Sequence, residues 1–318
     1  MSSIAVIIIH HTGDLIYKCI KSIQHIHCDK IVCSSQPTIF PGVVSKCVPH
    51  NNPARKRNEA TKLVSGDYLA FLDDDVYLER SCLQVMQMYL DLHDDVGMCF
   101  ATLSKTNGEI DCAGTYLLPT GFLLERTEQH GVNPYSSLSG KSSCCMIRKR
   151  LFHDIGEFDE DFFIYGEETD LSWRVWLQGF RVAQLPFALG THYSESKEKE
   201  LKYYNKHFIF YHGCKNYIMM LVKNLGGTHV LIALVNFVLW SIVGLLFVFK
   251  SPTRAIWIFQ GLWYNIRHLP QTLRKRNKIQ KERAISEDLL FPFIYRHVGL
   301  GYYLKRLWEY LTHPHLKT

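Results

Sequence analysis

Apolar and polar positions follow two rhythms along this chain. A solid apolar run, residues 4–9, gives way to the polar stretch His10-His11-Thr12-Gly13-Asp14, after which Leu15, Cys19, Ile20 and Ile23 recur at helical spacing. The first run predicts a buried strand and the second pattern an amphipathic helix. Ile31-Val32-Cys33 predicts another strand, closed by the turn signal Ser34-Ser35-Gln36-Pro37. Residues 58–64 predict a helix ending near Gly66, and residues 68–72 a buried strand running into Asp73-Asp74-Asp75. Such alternation predicts an α/β fold with a mainly parallel sheet flanked by helices. Ligands of such sheets bind beyond the carboxyl ends of the strands, and the acidic triplet stands at such an end.

The pattern is denser from Gly140 to Pro186. Residues 144–147 suit a strand. A helix starting at Glu168 or Thr169 carries Leu171, Trp173, Val175 and Trp176, with Gly179 as its cap. Residues 180–185 return as a strand, and His192 follows it by a short turn. Beyond about Tyr203 the composition becomes aromatic and basic. The chain therefore divides into an α/β domain over 1–215 and a helical, membrane-associated region over 216–318, which contains the apolar segment 229–249 and a basic amphipathic tail.

Composition narrows the classes. With 318 residues, 47% hydrophobic and 21% charged, the chain is neither a disordered tail nor a collagen nor a small disulfide scaffold. Its ten cysteines contain no CxxC pair, which argues against a zinc ribbon and predicts reduced thiols. Only Met1, Ser2 and Ser3 precede the first apolar run, itself too short to cross a bilayer, so no secretory signal is read and cytosolic exposure is expected.

Charge is unevenly distributed. Residues 1–196 hold 17 Lys and Arg against 24 Asp and Glu, whereas residues 197–318 hold 19 against 6. A basic segment can serve nucleic acid or an anionic membrane. Here residues 229–249 carry no formal charge, and at ~1.5 Å per helical residue they could cover the ~30 Å hydrocarbon layer. The aromatic and basic stretch 203–223 beside them reads as an interfacial belt, and nucleic acid is not expected as a partner. A single crossing would place the cluster Arg274-Lys275-Arg276-Asn277-Lys278 opposite the α/β domain, against the tendency of Lys and Arg to stay cytoplasmic. A hairpin or re-entrant pair turning at Ser251-Pro252 keeps both ends on the cytoplasmic face. A buried helix pair in a soluble dimer is the alternative, and a homo-oligomer stays open.

Three constellations carry candidate chemistry. Asp73-Asp74-Asp75 repel one another unless a cation sits among them, so they read either as a divalent-metal site or as a solvated turn whose Asp caps the next helix. Glu167, Glu168 and Asp170 suit the macrodipole of a first helical turn, and one of them could equally be a general base. His192 is either a ligand or a satisfied surface or core histidine.

The ordered motifs IAVIIIHHTGDLIYKCIKSI, NNPARKRNEATKLVSGDYLAFLDDDV, CCMIRKRLFHDIGEFDEDFFIYGEETDLSWRVWLQGFRV and THYSES resemble the family-2 glycosyltransferases with the nucleotide-sugar-binding GT-A fold, particularly the rhamnosyltransferase-like branch of surface-polysaccharide synthesis. The resemblance covers about the first 200 residues. It implies that Asp75, with Asp73 and His192, holds Mg²⁺ or Mn²⁺ bridging the donor diphosphate, and that Asp73 and Asp74 contact the ribose side. It implies Glu168 as the catalytic base with Asp170 as rival or orienting partner, and Arg55 and Asn58 as residues that hold the nucleotide. Where the family often has an acidic residue reading a pyrimidine, this chain has Cys33-Ser34-Ser35, so Ser34 becomes the hydrogen-bonding substitute.

The implied activity is inverting transfer from a nucleotide diphosphate sugar, dTDP-rhamnose or a UDP-hexose, to a hydroxyl of a lipid-linked saccharide at the cytoplasmic face of the membrane. A polyprenyl-phosphate glycosyltransferase and a non-catalytic nucleotide-binding scaffold are the alternatives.

Overall fold

Six consecutive apolar residues place Ile4–Ile9 (β1) inside the sheet, all six buried because both faces are covered. The computed structural model describes residues 2–11, 13–129, 131–193 and 208–312. In chain order there follow α1 (Leu15–Ile23), β2 (Asp29–Ser34), β3 (Val44–Cys47), α2 (Pro53–Thr61), β4 (Tyr68–Asp73), β5 (Val76–Leu78), α3 (Cys82–Leu92), β6 (Val96–Lys105), β7 (Ile110–Cys112), β8 (Thr115–Leu117) and β9 (Leu123–Glu125). Next come β10 (Tyr135–Ser136), β11 (Cys144–Arg148), α4 (Lys149–Asp154), α5 (Glu167–Leu177) and β12 (Arg181–His192).

The main sheet has the order β10-β12-β6-β11-β4-β1-β2-β3, with β5 added to β12 and β7 to β6. Pairing is parallel along β4-β1-β2-β3 and between β6 and β12, while β11 lies between β4 and β6, antiparallel to both. Two reversals restore direction, so β4 and β12 both end at the same sheet edge. Side chains alternate across the sheet. Val6, Ile8, Ala70 and Leu72 share one core with Ile16, Cys19 and Ile20 of α1 and with Leu83, Met86 and Leu90 of α3. Phe71 lies on the opposite face, against Phe152 at 5.5 Å and Phe158 at 5.1 Å between ring centroids.

The sequence reading needs three local corrections. The helix expected over 58–64 begins at Pro53, because the Asn52 side chain accepts from the Arg55 backbone N–H and Pro53 fits the first turn, where no N–H is needed. α5 begins one residue early, at Glu167, after Gly166 at φ +86°. The strand expected over 180–185 continues to His192 through an irregularity between Leu185 and Leu189, so His192 ends a strand rather than following a turn.

The chain forms two units. One comprises residues 1–115, 125–203 and 283–294, the other 116–124, 204–282 and 295–318. The division thus falls ahead of the expected 215/216 boundary, since the helix Phe208–Asn224 (α6) is one continuous element of the second unit. The first unit takes back residues 283–294, containing α10 (Glu287–Ile294), which buries Leu290 and Ile294.

In the second unit α6 is followed by α7 (Leu231–Lys250), α8 (Pro252–Arg267), α9 (Leu269–Glu282) and α11 (Leu300–Thr312). α7 and α8 form an antiparallel hairpin about Ser251: Arg254 stacks on Phe247, and Gly244 lies against Phe259 and Ile258, where an added Cβ would come within 3.1 Å. Trp240, Phe247, Ile258 and Leu262 form its core with Cys214 and Ile218 of α6. Residues 203–207 of the expected interfacial belt lie outside the described residues. All ten cysteines are free thiols, as their scattered spacing implied.

Candidate active site

Two strand ends bring the site together. Asp73 closes β4, Asp75 follows in the turn to β5, and His192 closes β12. β5 pairs back onto β12 with Val76 opposite His192, and the Tyr193 N–H donates to the Asp75 carbonyl at 3.0 Å. That pairing is close because Gly190 faces β5, where a Cβ would stand 2.8 Å from the Tyr77 carbonyl oxygen. One ligand atom from each of Asp73, Asp75 and His192 lies within 4.8 Å of the others. The structure therefore gathers the three residues that the sequence reading named as metal ligands.

His192 is held at both ring nitrogens. Nε2 is 3.2 Å from Asp75 Oδ1 and Nδ1 is 2.8 Å from Asp111 Oδ2. Burial works to lower its pKa, but the hydrogen bonds to Asp111 and Asp75 outweigh burial and push it up to about 9.

Asp74 faces the end of β1: its Oδ2 is 2.7 Å from His10 Nδ1 and accepts the His11 N–H at 2.9 Å. Buried Lys56 donates to the His10 carbonyl at 3.3 Å, and burial draws its pKa down. Arg57, also buried, gives NH2 to Asp73 at 3.0 Å and NH1 to Glu167 at 2.9 Å. Although burial disfavours its charge, the two carboxylates more than compensate and raise its pKa. Thus Arg57 ties the first turn of α5 to the acidic triplet.

Glu168 lies in that first turn, partly buried. Burial first, and the Glu167 charge second, hold its carboxyl well above the usual carboxylate range. The loop before it carries backbone strain, with Phe163 and Tyr165 at φ +66° and +67°, a region that costs non-glycine residues of the order of 1 kcal/mol each. Gly166 adopts its positive φ freely, and so turns the chain into α5.

Several expected site residues take other work. Arg55 points outward and is exposed, because a helix starting at Pro53 turns Ala54, Arg57, Asn58 and Thr61 inward. Asn58 clamps a loop: it donates to the Phe158 carbonyl at 2.9 Å and accepts the Phe158 N–H at 3.1 Å. Asp170 is fully buried and paired with Arg174 at 2.9 and 3.1 Å, while the same guanidinium donates to the Ile155 and Glu157 carbonyls. That pair engages the carboxylate expected to be the rival or the orienting partner of Glu168. Ser34, buried at the end of β2, donates to the Gln36 carbonyl at 2.6 Å.

Sequence reading missed Lys56, Arg57, Glu167's ion pair and Asp111. The Asn52-Pro53 start would have set the inward phase of Arg57. A lone Asp111 in a three-residue strand gives no signal.

The donor set fits a divalent cation. Two carboxylates and one imidazole offer hard oxygen with a borderline nitrogen, a combination suited to Mn²⁺ and less so to Mg²⁺, which prefers oxygen alone.

Residues 41–156 match the family model described as glycosyl transferase family 2. An O-antigen biosynthesis protein, RfbC, from Myxococcus xanthus is 30% identical over 146 residues, 42% of this chain and 11% of that protein. The pre-mycofactocin glycosyltransferase of Mycobacterium tuberculosis is 31% identical over 146 residues, 45% of this chain and 31% of that protein. The match thus spans less than a third of either relative. Among solved structures, the mannosyltransferase PcManGT from Pyrobaculum calidifontis, in complex with GDP-Man and Mn²⁺, superposes with a TM-score of 0.51 at 11% identity, covering 83% of this chain and 87% of that one. That likeness places the fold among the GT-A glycosyltransferases.

Proposed function

The chain carries a glycosyl transferase family 2 domain, and on that premise we propose that it moves a sugar, with inversion, from a nucleotide diphosphate sugar to a hydroxyl of a lipid-linked saccharide. The observation that carries this reading is the convergence of Asp73, Asp75 and His192 within 4.8 Å, with Arg57 linking Asp73 to the helix turn that bears Glu168.

Asp73, Asp75 and His192 would hold Mn²⁺, or Mg²⁺ in its place, and the bound cation would supply Lewis-acid neutralisation of the charge growing on the departing diphosphate. The chain's own residues do the rest. Asp74, fixed by His10 and the His11 N–H, would contact the donor's ribose side. Arg57 sets the spacing between the acidic triplet and α5, which is orientation of the kind that a displacement reaction requires. Glu168 takes the proton of the attacking hydroxyl. A carboxyl already held above its usual range is a stronger base toward an alcohol than an ordinary glutamate. This favours a hydroxyl acceptor over a phosphate, which brings its own anionic nucleophile.

The helical unit supports a membrane seat. Residues 227–250 form a helix long and apolar enough to span a bilayer, and 28% of its apolar window is buried. Leu231, Leu234, Leu245 and Phe249 on α7 and Ile256 and Trp263 on α8 are exposed. The α7–α8 hairpin with Ser251 at its turn keeps the ends of the pair on one side, in line with the basic residues of α9 staying cytoplasmic. A chain seated there meets acceptors carried on polyprenyl diphosphates.

The test is a panel of nucleotide sugars, dTDP-rhamnose and UDP-hexoses among them, screened by thermal shift with Mn²⁺ and followed by transfer assay. A donor that raises the melting temperature only with Mn²⁺, and turns over with an inverted linkage, is the expected result. Stabilisation by no nucleotide sugar, with or without the cation, would overturn the reading.

A further inference from the structure

We propose that Asp111 is a positioning residue that fixes the His192 ring for cation binding, an inference resting on the reading of Asp73, Asp75 and His192 as ligands. Asp111 belongs to none of the motifs above. It lies on β7, which pairs with the end of β6, and its carboxylate reaches His192 from the side away from Asp75.

Both carboxylate oxygens are engaged. Oδ2 meets His192 Nδ1 at 2.8 Å, and Oδ1 takes Lys141 Nζ at 3.0 Å. Lys141 in turn lies 3.7 Å from Glu125 Oε2. A carboxylate neighboured by an ammonium stays ionised, so it can accept a hydrogen but has none to give. Nδ1 must therefore carry the hydrogen. In the neutral ring that leaves the lone pair on Nε2, the nitrogen that faces Asp75.

The side chains of His192 and Asp111 are only 4% and 5% exposed, so water has little room to replace the bond. Without Asp111 the ring could turn its other nitrogen to the cation, or lie between orientations, and each alternative lowers the share of protein ready to bind. Partners of this kind typically contribute about 10–100-fold to metal affinity.

The experiment uses the full chain and Mn²⁺ alone, with free ion counted by electron paramagnetic resonance for the wild type, Asp111→Ala, Asp111→Asn and His192→Ala. Asp111→Ala is expected to weaken Mn²⁺ binding by about 10–100-fold. Asp111→Asn, whose amide oxygen still accepts from Nδ1–H, is expected to recover most of that loss, which a merely structural role would not predict. In metal-free protein, at a pH high enough for the His192 ring to be neutral, ¹⁵N spectra are expected to show its one hydrogen on Nδ1.

Asp111→Ala binding within twofold of wild type, while His192→Ala binds weakly, overturns the role of Asp111 and leaves the cation site standing. Failure of the wild type to bind Mn²⁺ overturns both. If Asp111→Ala does not fold, Asp111→Asn and the wild-type ¹⁵N spectrum decide, and an Nδ1 without hydrogen is the overturning result.

Discussion

Arg57 joins Asp73 to Glu167, giving one guanidinium nitrogen to each carboxylate at 3.0 and 2.9 Å. The arginine and Glu167 are buried, and Asp73 belongs to the cluster that gathers around His192. One cation thus serves a strand end and a helix start. Removing it leaves buried negative charge without compensation, so Arg57→Met is expected to cost about 3–5 kcal/mol, read by urea unfolding. A loss below 1 kcal/mol would mean that the two carboxylates find other partners.

Glu168 and Asp170 are expected to fail differently. Glu168→Gln should lower transfer by about 10²–10⁴-fold while leaving donor binding by thermal shift near normal. Asp170→Asn should lose stability, because Arg174 keeps its carbonyl partners but loses its ion partner. Near-normal turnover in Glu168→Gln removes Glu168 from the role of base.

The raised Glu168 pKa has a sign in both rate and stability. Below the folded pKa the base is protonated and idle, so transfer should rise tenfold per pH unit and level off above it, with an acid limb lying above the ordinary glutamate value of about 4.3. The same shift favours the fold while Glu168 holds its proton. That contribution is complete below the unfolded pKa of about 4.3 and fades as pH climbs through the folded one. Glu168→Gln is therefore expected to melt higher than wild type at alkaline pH and to match it in acid. Equal melting temperatures at both ends would place the carboxyl in a wetter setting.

The exposed leucines of α7 supply a test of the membrane seat. Leu234→Asp with Leu245→Asp is expected to abolish flotation with anionic vesicles, since each Asp costs up to about 3 kcal/mol in the apolar layer. Neither side chain is buried, so the helices should still form, as circular dichroism can check. Undiminished flotation would point to another attachment.

Much of this molecule could be read without coordinates. β1, β2, β4 and β11 carry unbroken apolar runs, and burial on both faces of a sheet leaves that plain mark. The gathering of Asp73, Asp75 and His192 was also foreseeable, because motifs at strand ends share one edge. What stayed hidden depended on helix phase and on pairings distant in sequence. Arg55 and Arg57 look alike in PARKRNEA, and only the start at Pro53 decides which is inside. Asp170 looked catalytic by its neighbours, yet Arg174, one turn on, claims it. The segmented division of the chain leaves no compositional trace, since residues 283–294 follow a basic run and resemble their surroundings.

Those late residues limit how the protein can be shortened. Ala284 and Ile285 both donate backbone N–H groups to the Leu177 carbonyl, at 2.7 and 3.3 Å, and Phe293 stacks on Trp176 with centroids 5.7 Å apart. A fragment cut anywhere between the last sheet strand and the end of α9 would discard the cover over the C-terminal end of α5 and bare Trp176 to water. Expression of the α/β unit alone therefore calls for grafting residues 283–294 back behind a linker, or for keeping the whole polypeptide with its apolar hairpin.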